Sequence, residues 1–520
     1  MSSAAFCGAS MRSACRKAVG RRNGRYARAG ESGEDFRGSS RRRATPCGLG
    51  GFGDSSGRSS CSRARAWPWK TTLKMREALL ISYHFPPMGG SGVQRAAKLA
   101  KYLPCAGWRA HVICGVHRHY PLRDESLLDE VDSRFVRPVA GFEPAGIARR
   151  VGALLNDGVR AWAIEDRICW RIERLVQAAR VPEREALWTP LAIRAARSLV
   201  KAAPIEAVVT TSPPHAVHLV GRHLKRRLGL PWIADLRDPM TDNFTLAGGS
   251  RMSCGYARWF ENMVVREADR IVVTCPELGE QLADRHGPAV AARIVAIPNG
   301  YDPSDRPARA ARRDDRFVLV HAGSFYRQQS IEPILLAFRE LWIRRPDVRG
   351  RIAFRVAGAL SAAQRAFVRE SDEGFLELAG YRSHSEAIGE MASANALLLT
   401  VPAVEGGRYC IPAKTFEYLA FGGHIIAWVH EGTSLAQALH DAGGCTRVEV
   451  PTPSGWGAAI EACFDQWRTG SLSRARNMAV VERFRRDRLA AKFADIIEAC
   501  VGSGPRLTID ATVFGSVEAA

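Results

Sequence analysis

Short apolar runs alternate along this chain with longer stretches of helical periodicity. The first run, Ala78, Leu79, Leu80 and Ile81, reads as a buried strand. A Pro-Pro turn and the glycines Gly89, Gly90 and Gly92 follow. Val93, Ala96, Ala97, Leu99, Ala100 and Leu103 then recur on one side of a helix. A strand, glycine loop and helix in that order let a backbone approach a phosphate, because glycine has no Cβ and a helix start offers unpaired N–H groups. The stretch lacks G-x-G-x-x-G and the P-loop lysine, so taken alone a structural turn reads equally well.

The alternation predicts further strands at 110–114, 207–211, 231–236, 271–274 and 294–297, with helices over 216–227, 256–268 and 277–285. Strands separated by helices imply a parallel sheet with right-handed crossovers. From about 142 to 190 the pattern turns helical (Val151, Leu154, Leu155; Ile168, Ile172, Leu175, Val176), and Trp162, Trp170 and Trp188 stand among charge-balanced arginines. This insert reads as a core-packed helical pair or as a surface gripping an acceptor or touching a membrane. A turn cluster at 298–303 opens a linker, 301–316. The pattern restarts with strands at 317–321, 352–356, 376–378, 396–401, 424–429 and 446–450, then a terminal helix over 479–501 and a tail, 502–520. The expected fold class is α/β: two Rossmann-like, doubly wound domains, 75–300 and 317–478. They face one cleft, with ligands at the carboxyl ends of the strands.

Composition changes this picture little. The net charge of +21 is uneven, because residues 1–74 hold 16 basic against 4 acidic side chains. That Ser-, Gly- and Arg-rich segment reads as a disordered basic arm, a transit peptide, or translated sequence upstream of a true start at Met75. The last reading explains best why the fold pattern begins just after that methionine. Only 9 of the 74 basic residues are lysine, which points to codon composition rather than a binding surface, and no RNA-binding motif supports a nucleic-acid partner. No apolar run approaches the roughly 20 residues of a membrane span. The 13 cysteines lack C-x-x-C spacing and read as reduced thiols of a cytoplasmic protein. The pairs His117/His119 and His215/His218 lack a carboxylate or cysteine set to complete a metal site.

Five motifs occur in order: Phe-Pro-Pro-Met-Gly-Gly-Ser-Gly-Val-Gln-Arg (85–95), Thr-Ser-Pro-Pro-His-Ala-Val-His-Leu (211–219), Ala-Asp-Leu-Arg-Asp-Pro (234–239), Ile-Pro-Asn-Gly-Tyr-Asp (297–302) and Ile-Pro-Ala-Lys-Thr-Phe-Glu-Tyr-Leu-Ala-Phe-Gly-Gly (411–423). From about Met75 to Cys500 the chain resembles the GT-B glycosyltransferases of family 4, in the bacterial capsule, exopolysaccharide and O-antigen subgroup. The resemblance implies a retaining transfer of a sugar from a nucleotide-diphosphate donor to a glycan or lipid-linked acceptor, in cell-surface polysaccharide synthesis. It further implies no cofactor, no bound metal, and a cytoplasmic protein in peripheral contact with the inner face of the membrane.

The leaving diphosphate gains charge and needs cations or oriented N–H groups. Candidates are Arg327, Arg382 and Lys414, with Gly323 beside them and Gly89, Gly90 and Ser91 on the first domain. By the resemblance Glu417, one helical turn after Lys414, binds the ribose hydroxyls. His218 and His215 follow a strand where the family places a histidine near the sugar. Asp235 and Asp238 are expected to orient or deprotonate the acceptor; a helix cap or an ion pair with Arg237 is the other reading. The sequence departs from the family where Tyr409 replaces a second glutamate, leaving its role vacant or to Glu405 or Arg408. Ser324 and Gln329 likewise replace an arginine and a lysine, with Arg327 as the substitute. These departures keep open a degenerate GT-B protein that binds a nucleotide sugar or a partner as an assembly subunit. A nucleotide-sugar epimerase would need a carboxylate pair that does not stand out.

Overall fold

The computed structural model describes residues 75–116, 123–141, 183–243, 251–305, 307, 315–325, 329–371, 374–404 and 406–502. Two parallel sheets carry the fold. The first has strands β1 (Arg76–Ser82), β2 (Trp108–Gly115), β3 (Val136–Val139), β4 (Ile205–Ser212), β5 (Trp232–Leu236), β6 (Arg270–Val273) and β7 (Ile294–Ala296), in the order 3-2-1-4-5-6-7. The second has β8 (Phe317–Ala322), β9 (Ile352–Ala357), β10 (Leu376–Leu378), β11 (Ala396–Thr400), β12 (His424–Trp428) and β13 (Cys445–Arg447), in the order 10-9-8-11-12-13. Both are doubly wound, so each reverses direction beside its first strand, between β1 and β4 and between β8 and β11. The carboxyl ends of those pairs form a crevice.

The central strands are apolar throughout because helices cover both faces. On one face of the first sheet Leu79, Ile81 and Val208 pack against Trp188, Ala192, Ala196, Val220 and Leu224. On the other, Leu80 and Val209 meet Ala96 and Ala97 of the helix Ser91–Tyr102, together with Leu489, Phe493 and Ile497. Those last three belong to the terminal helix Arg486–Val501, which returns from the second domain and packs on the first. The expected single helix over 479–501 is broken: a short helix Met478–Val481 and a tight turn Glu482–Phe484 precede it. Across the break Tyr301 N–H donates to the Phe484 carbonyl at 3.0 Å, and Arg486 N–H to the Tyr301 carbonyl at 2.9 Å. Arg76, on the first strand, closes the crossing with hydrogen bonds of 2.5 and 2.6 Å to Glu498.

Other elements depart from expectation. β3 was not predicted: it is an edge strand whose Arg137 and Pro138 are exposed, so it lacks the apolar run of a buried strand. The last strand is Cys445–Arg447, shorter and earlier than 446–450. Of the insert's tryptophans, Trp188 is 1% exposed and its Nε1 donates to the Val139 carbonyl at 3.1 Å, a core position. Trp162 and Trp170 lie outside the described residues, as do 1–74 and most of the tail. No helix among the described residues is long and apolar enough to cross a membrane.

Candidate functional site

At the crevice of the second sheet, β8 is followed by Gly323, whose φ of 104° needs glycine. A Cβ on Gly358, just after β9, would sit 2.1 Å from the Gly323 carbonyl oxygen, so two glycines let these turns touch. Lys414 begins the helix Lys414–Phe421 after the Pro412 turn, and Tyr418 on the same helix accepts the Ala322 N–H at 2.9 Å. The helix is thereby pinned to the end of β8. Lys414 Nζ lies 2.8 Å from His321 Nε2 and would lie 3.5 Å from a Cβ on Gly323. His321 is fully buried, stacks on Phe325 at 3.9 Å, and its Nδ1 faces the Leu398 carbonyl at 3.1 Å. With Nδ1 as donor to that carbonyl, Nε2 is the acceptor for the ammonium. Burial, with the Lys414 charge adding, keeps His321 neutral far below its ordinary range. Burial also pushes the Lys414 pKa down to about 7. A lysine so placed gains on meeting an anion.

Glu417 faces inward on the same helix at 8% exposure, and burial raises its pKa, opposed by His384 and Arg486. Its Oε1 lies 3.9 Å from His384 Nδ1. Thr415 Oγ1, Arg486 Nη2 and His215 Nδ1 are buried without a hydrogen-bond partner.

On the first domain Gly90 is exposed at φ 99°, and the helix Ser91–Tyr102 starts there with no side-chain cap, its positive dipole end at the glycine loop. Arg237 stitches the loops there by donating to the carbonyls of Ser212, Gly92 and Pro213. The expected ion pair of Arg237 is thus replaced by a carbonyl clamp. Asp238 is half-buried beside it. Asp238 raises and Lys414 lowers the Cys410 thiol pKa, which burial pushes up to about 12, so the two charges flank one thiol across the domains. His215 is half-buried and pushed down to about 4 by burial, with Asp238 opposing. A neutral imidazole next to a carboxylate can hydrogen-bond a hydroxyl.

Two expected catalytic groups lie elsewhere. Asp235 is fully buried. It takes the Arg95 guanidinium at 2.7–3.1 Å and the Thr211 hydroxyl at 2.7 Å, so both oxygens serve a structural ion pair. His218 is fully buried against Trp232, with Nδ1 at 2.7 Å from Thr210 Oγ1; it is a core histidine. Arg382 is a surface side chain 4.0 Å from Glu390. Arg327, Glu405, His117 and His119 lie outside the described residues. Ser324 Oγ accepts the Ala359 N–H at 3.2 Å, and buried Gln329 donates to the Thr400 carbonyl at 2.9 Å. Tyr409, at the position of the missing glutamate, packs with Ile411 against the first domain's apolar cluster around Phe260.

Residues that sequence reasoning missed hold the domains together. Asp302 accepts from Lys98 at 2.6 Å, Lys101 at 2.7 Å and Tyr102 at 2.5 Å. Glu130, Asp302 and Asp305 converge, but the Lys98 and Lys101 ammonium groups stand among them, so this is an ion-pair network. Glu277 Oε2 accepts from Ser434 Oγ at 3.0 Å, and Oε1 from the Ser434 N–H.

Comparison with known proteins adds relatives. Residues 89–300 match the family described as glycosyl transferase 4-like domain. The D-inositol 3-phosphate glycosyltransferase of Geodermatophilus obscurus is 27% identical over 235 residues, 42% of this chain. The chain spans about half the length of that curated relative, 51%. Among solved structures, HepE of Anabaena in complex with UDP and glucose has a TM-score of 0.54 at 14% identity, covering 82% of this chain and 100% of that one. Sucrose-phosphate synthase of Thermosynechococcus elongatus gives 0.54 at 14%, covering 82% and 96%. The UDP-forming α,α-trehalose-phosphate synthase of Burkholderia vietnamiensis gives 0.54 at 12%, covering 83% and 100%. The chain therefore has the two-domain GT-B fold, and its residues 89–300 are similar to the glycosyl transferase 4-like domain.

Proposed function

We propose that the protein is a retaining glycosyltransferase that takes a sugar from a nucleotide-diphosphate donor to a glycan or lipid-linked acceptor for cell-surface polysaccharide, on the cytoplasmic side of the membrane. The observation that carries this reading is the half-buried Lys414 and the buried Glu417, one turn apart at the crevice of the second sheet. Glu417 accepts the ribose hydroxyls. Lys414 and the positive dipole end of the helix after Gly90 meet the diphosphate, whose charge grows as the glycosidic bond breaks. These groups belong to the chain and require no metal in the reading. His215 and Asp238 face the sugar and acceptor hydroxyls from the first domain. The solved relatives with UDP and glucose or with UDP-glucose bound support the donor class.

Thermal-shift screening of the full chain against UDP, GDP, ADP and their common sugars, with Glu417→Ala in parallel, tests the site. A rise selective for one base and lost in the variant is expected. A well-folded protein that responds to no nucleotide would sink the assignment. A second reading is favoured by Tyr409, which fills the glutamate's position with an interdomain contact: a nucleotide-sugar-binding assembly subunit without turnover. Nucleotide binding without transfer or hydrolysis of a labelled sugar would decide for it.

A further inference from the structure

Three parts of the chain converge on His384. Its backbone N–H, at the start of the helix His384–Ser393, donates to Asp124 Oδ2 at 3.0 Å, from the segment between β2 and β3. Its Nε2 donates to Asp305 Oδ2 at 2.8 Å, in the segment joining the domains. Its Nδ1 faces Glu417 Oε1 at 3.9 Å. Lys98, on the first-domain helix Ser91–Tyr102, faces the same group, with Nζ 3.7 Å from Asp305 Oδ1, and Arg486 faces Glu417 from the terminal helix. Around His384, then, Asp124, Glu130, Asp302, Asp305 and Glu417 stand against Lys98, Lys101 and Arg486, an excess of carboxylate charge that an imidazolium offsets. The side chain is 13% exposed, so water screens little of this.

We propose that His384 is a positioning residue: as an imidazolium it keeps Glu417 ionised and aimed into the crevice, and it latches the two domains together through Asp124 and Asp305. This rests on the reading of Glu417 as the ribose-binding acid. It adds that donor binding and domain closure share one proton. Burial lowers the His384 pKa, but the Asp305 hydrogen bond and the Glu417 charge outweigh burial, so the net direction is upward. When the domains part, Asp305, which is tied to Lys98 of the first domain, and Asp124 leave, while Glu417 stays with His384 in the second domain, so the group falls back from its raised value. The closed form therefore holds a proton more tightly than the open form, and closure weakens as pH rises through the raised value.

Small-angle scattering of the ligand-free full chain from about pH 5.5 to about 9, and titration calorimetry with UDP over the same range, test this on the native protein, His384→Gln and Asp305→Asn. The native radius of gyration is expected to grow with pH, and both variants to stay flat. UDP affinity should fall with pH more steeply in the native protein than in the variants, by up to about tenfold per pH unit. Lys414 titrates in all three proteins, so its contribution cancels in that comparison. Asp305→Asn keeps the side-chain shape and carries the test if His384→Gln fails to fold. The same pH dependence of the radius in all three proteins would overturn the latch. If UDP binds nowhere while the radius behaves as described, the nucleotide reading fails and the latch stands.

Discussion

An ammonium group whose partner is a neutral imidazole is poorly solvated, and Lys414 is in that state. Burial holds its pKa at about 7, and a bound diphosphate returns it upward. Above about pH 7 UDP binding should therefore take up a proton, and affinity should decline as pH rises; calorimetry in buffers of differing ionisation enthalpy reads that uptake. Lys414→Met is expected to lose the uptake and to lower turnover by roughly 10²–10³-fold, the usual loss for one donor to a developing anion. Asp235→Asn tests a different role. With Arg95 left unpaired in the core, it should cost about 3–5 kcal/mol in urea unfolding. Loss of activity at unchanged stability would instead restore Asp235 to the chemistry. Glu417 was legible because Pro412 and an apolar helix point it inward at the spacing of Lys414. His321 and His384 were not, since a lone histidine in an apolar strand or a polar loop carries no signal of its neighbours. The Arg95 that occupies Asp235 lies 140 positions away.

The thirteen strands among the described residues show why elements were easier to read than sites. Buried parallel strands must be apolar on both faces, so runs such as Leu79–Leu80–Ile81 and Leu397–Leu398–Leu399 declare themselves without knowledge of their partners. β3 escaped because an edge strand owes no such pattern, and the break before the terminal helix escaped because helical periodicity continues across it. The turn after β8 is set by contact rather than by pattern. Gly358→Ala would push its Cβ into the Gly323 carbonyl and displace the loop beside Lys414. Nucleotide affinity should fall about tenfold or more, as read by calorimetry, while the distant first sheet keeps its near-ultraviolet signature. An unchanged affinity would mean that the turn yields without moving Lys414.

Across the whole molecule the doubly wound order of each sheet dictates where the crevice lies, and that much followed from alternating pattern alone. The contacts that close it did not, because Glu277 with Ser434 and Asp124 with His384 pair residues from separate domains with no shared spacing. The terminal helix is the other feature that pattern could not place. Phe493→Ala, at a fully buried position under the first sheet, should cost about 3–5 kcal/mol, with chemical denaturation as the measure. The return of that helix also bears on how the protein is made. Arg76 and its partner Glu498 are 422 positions apart, so a ribosome adding roughly 5–20 residues per second leaves β1 without its covering helix for about 20–80 s. The domain synthesised first is thus the last to be completed. Its nascent form shows an uncovered apolar face throughout that interval, a natural place for a chaperone to hold the growing chain.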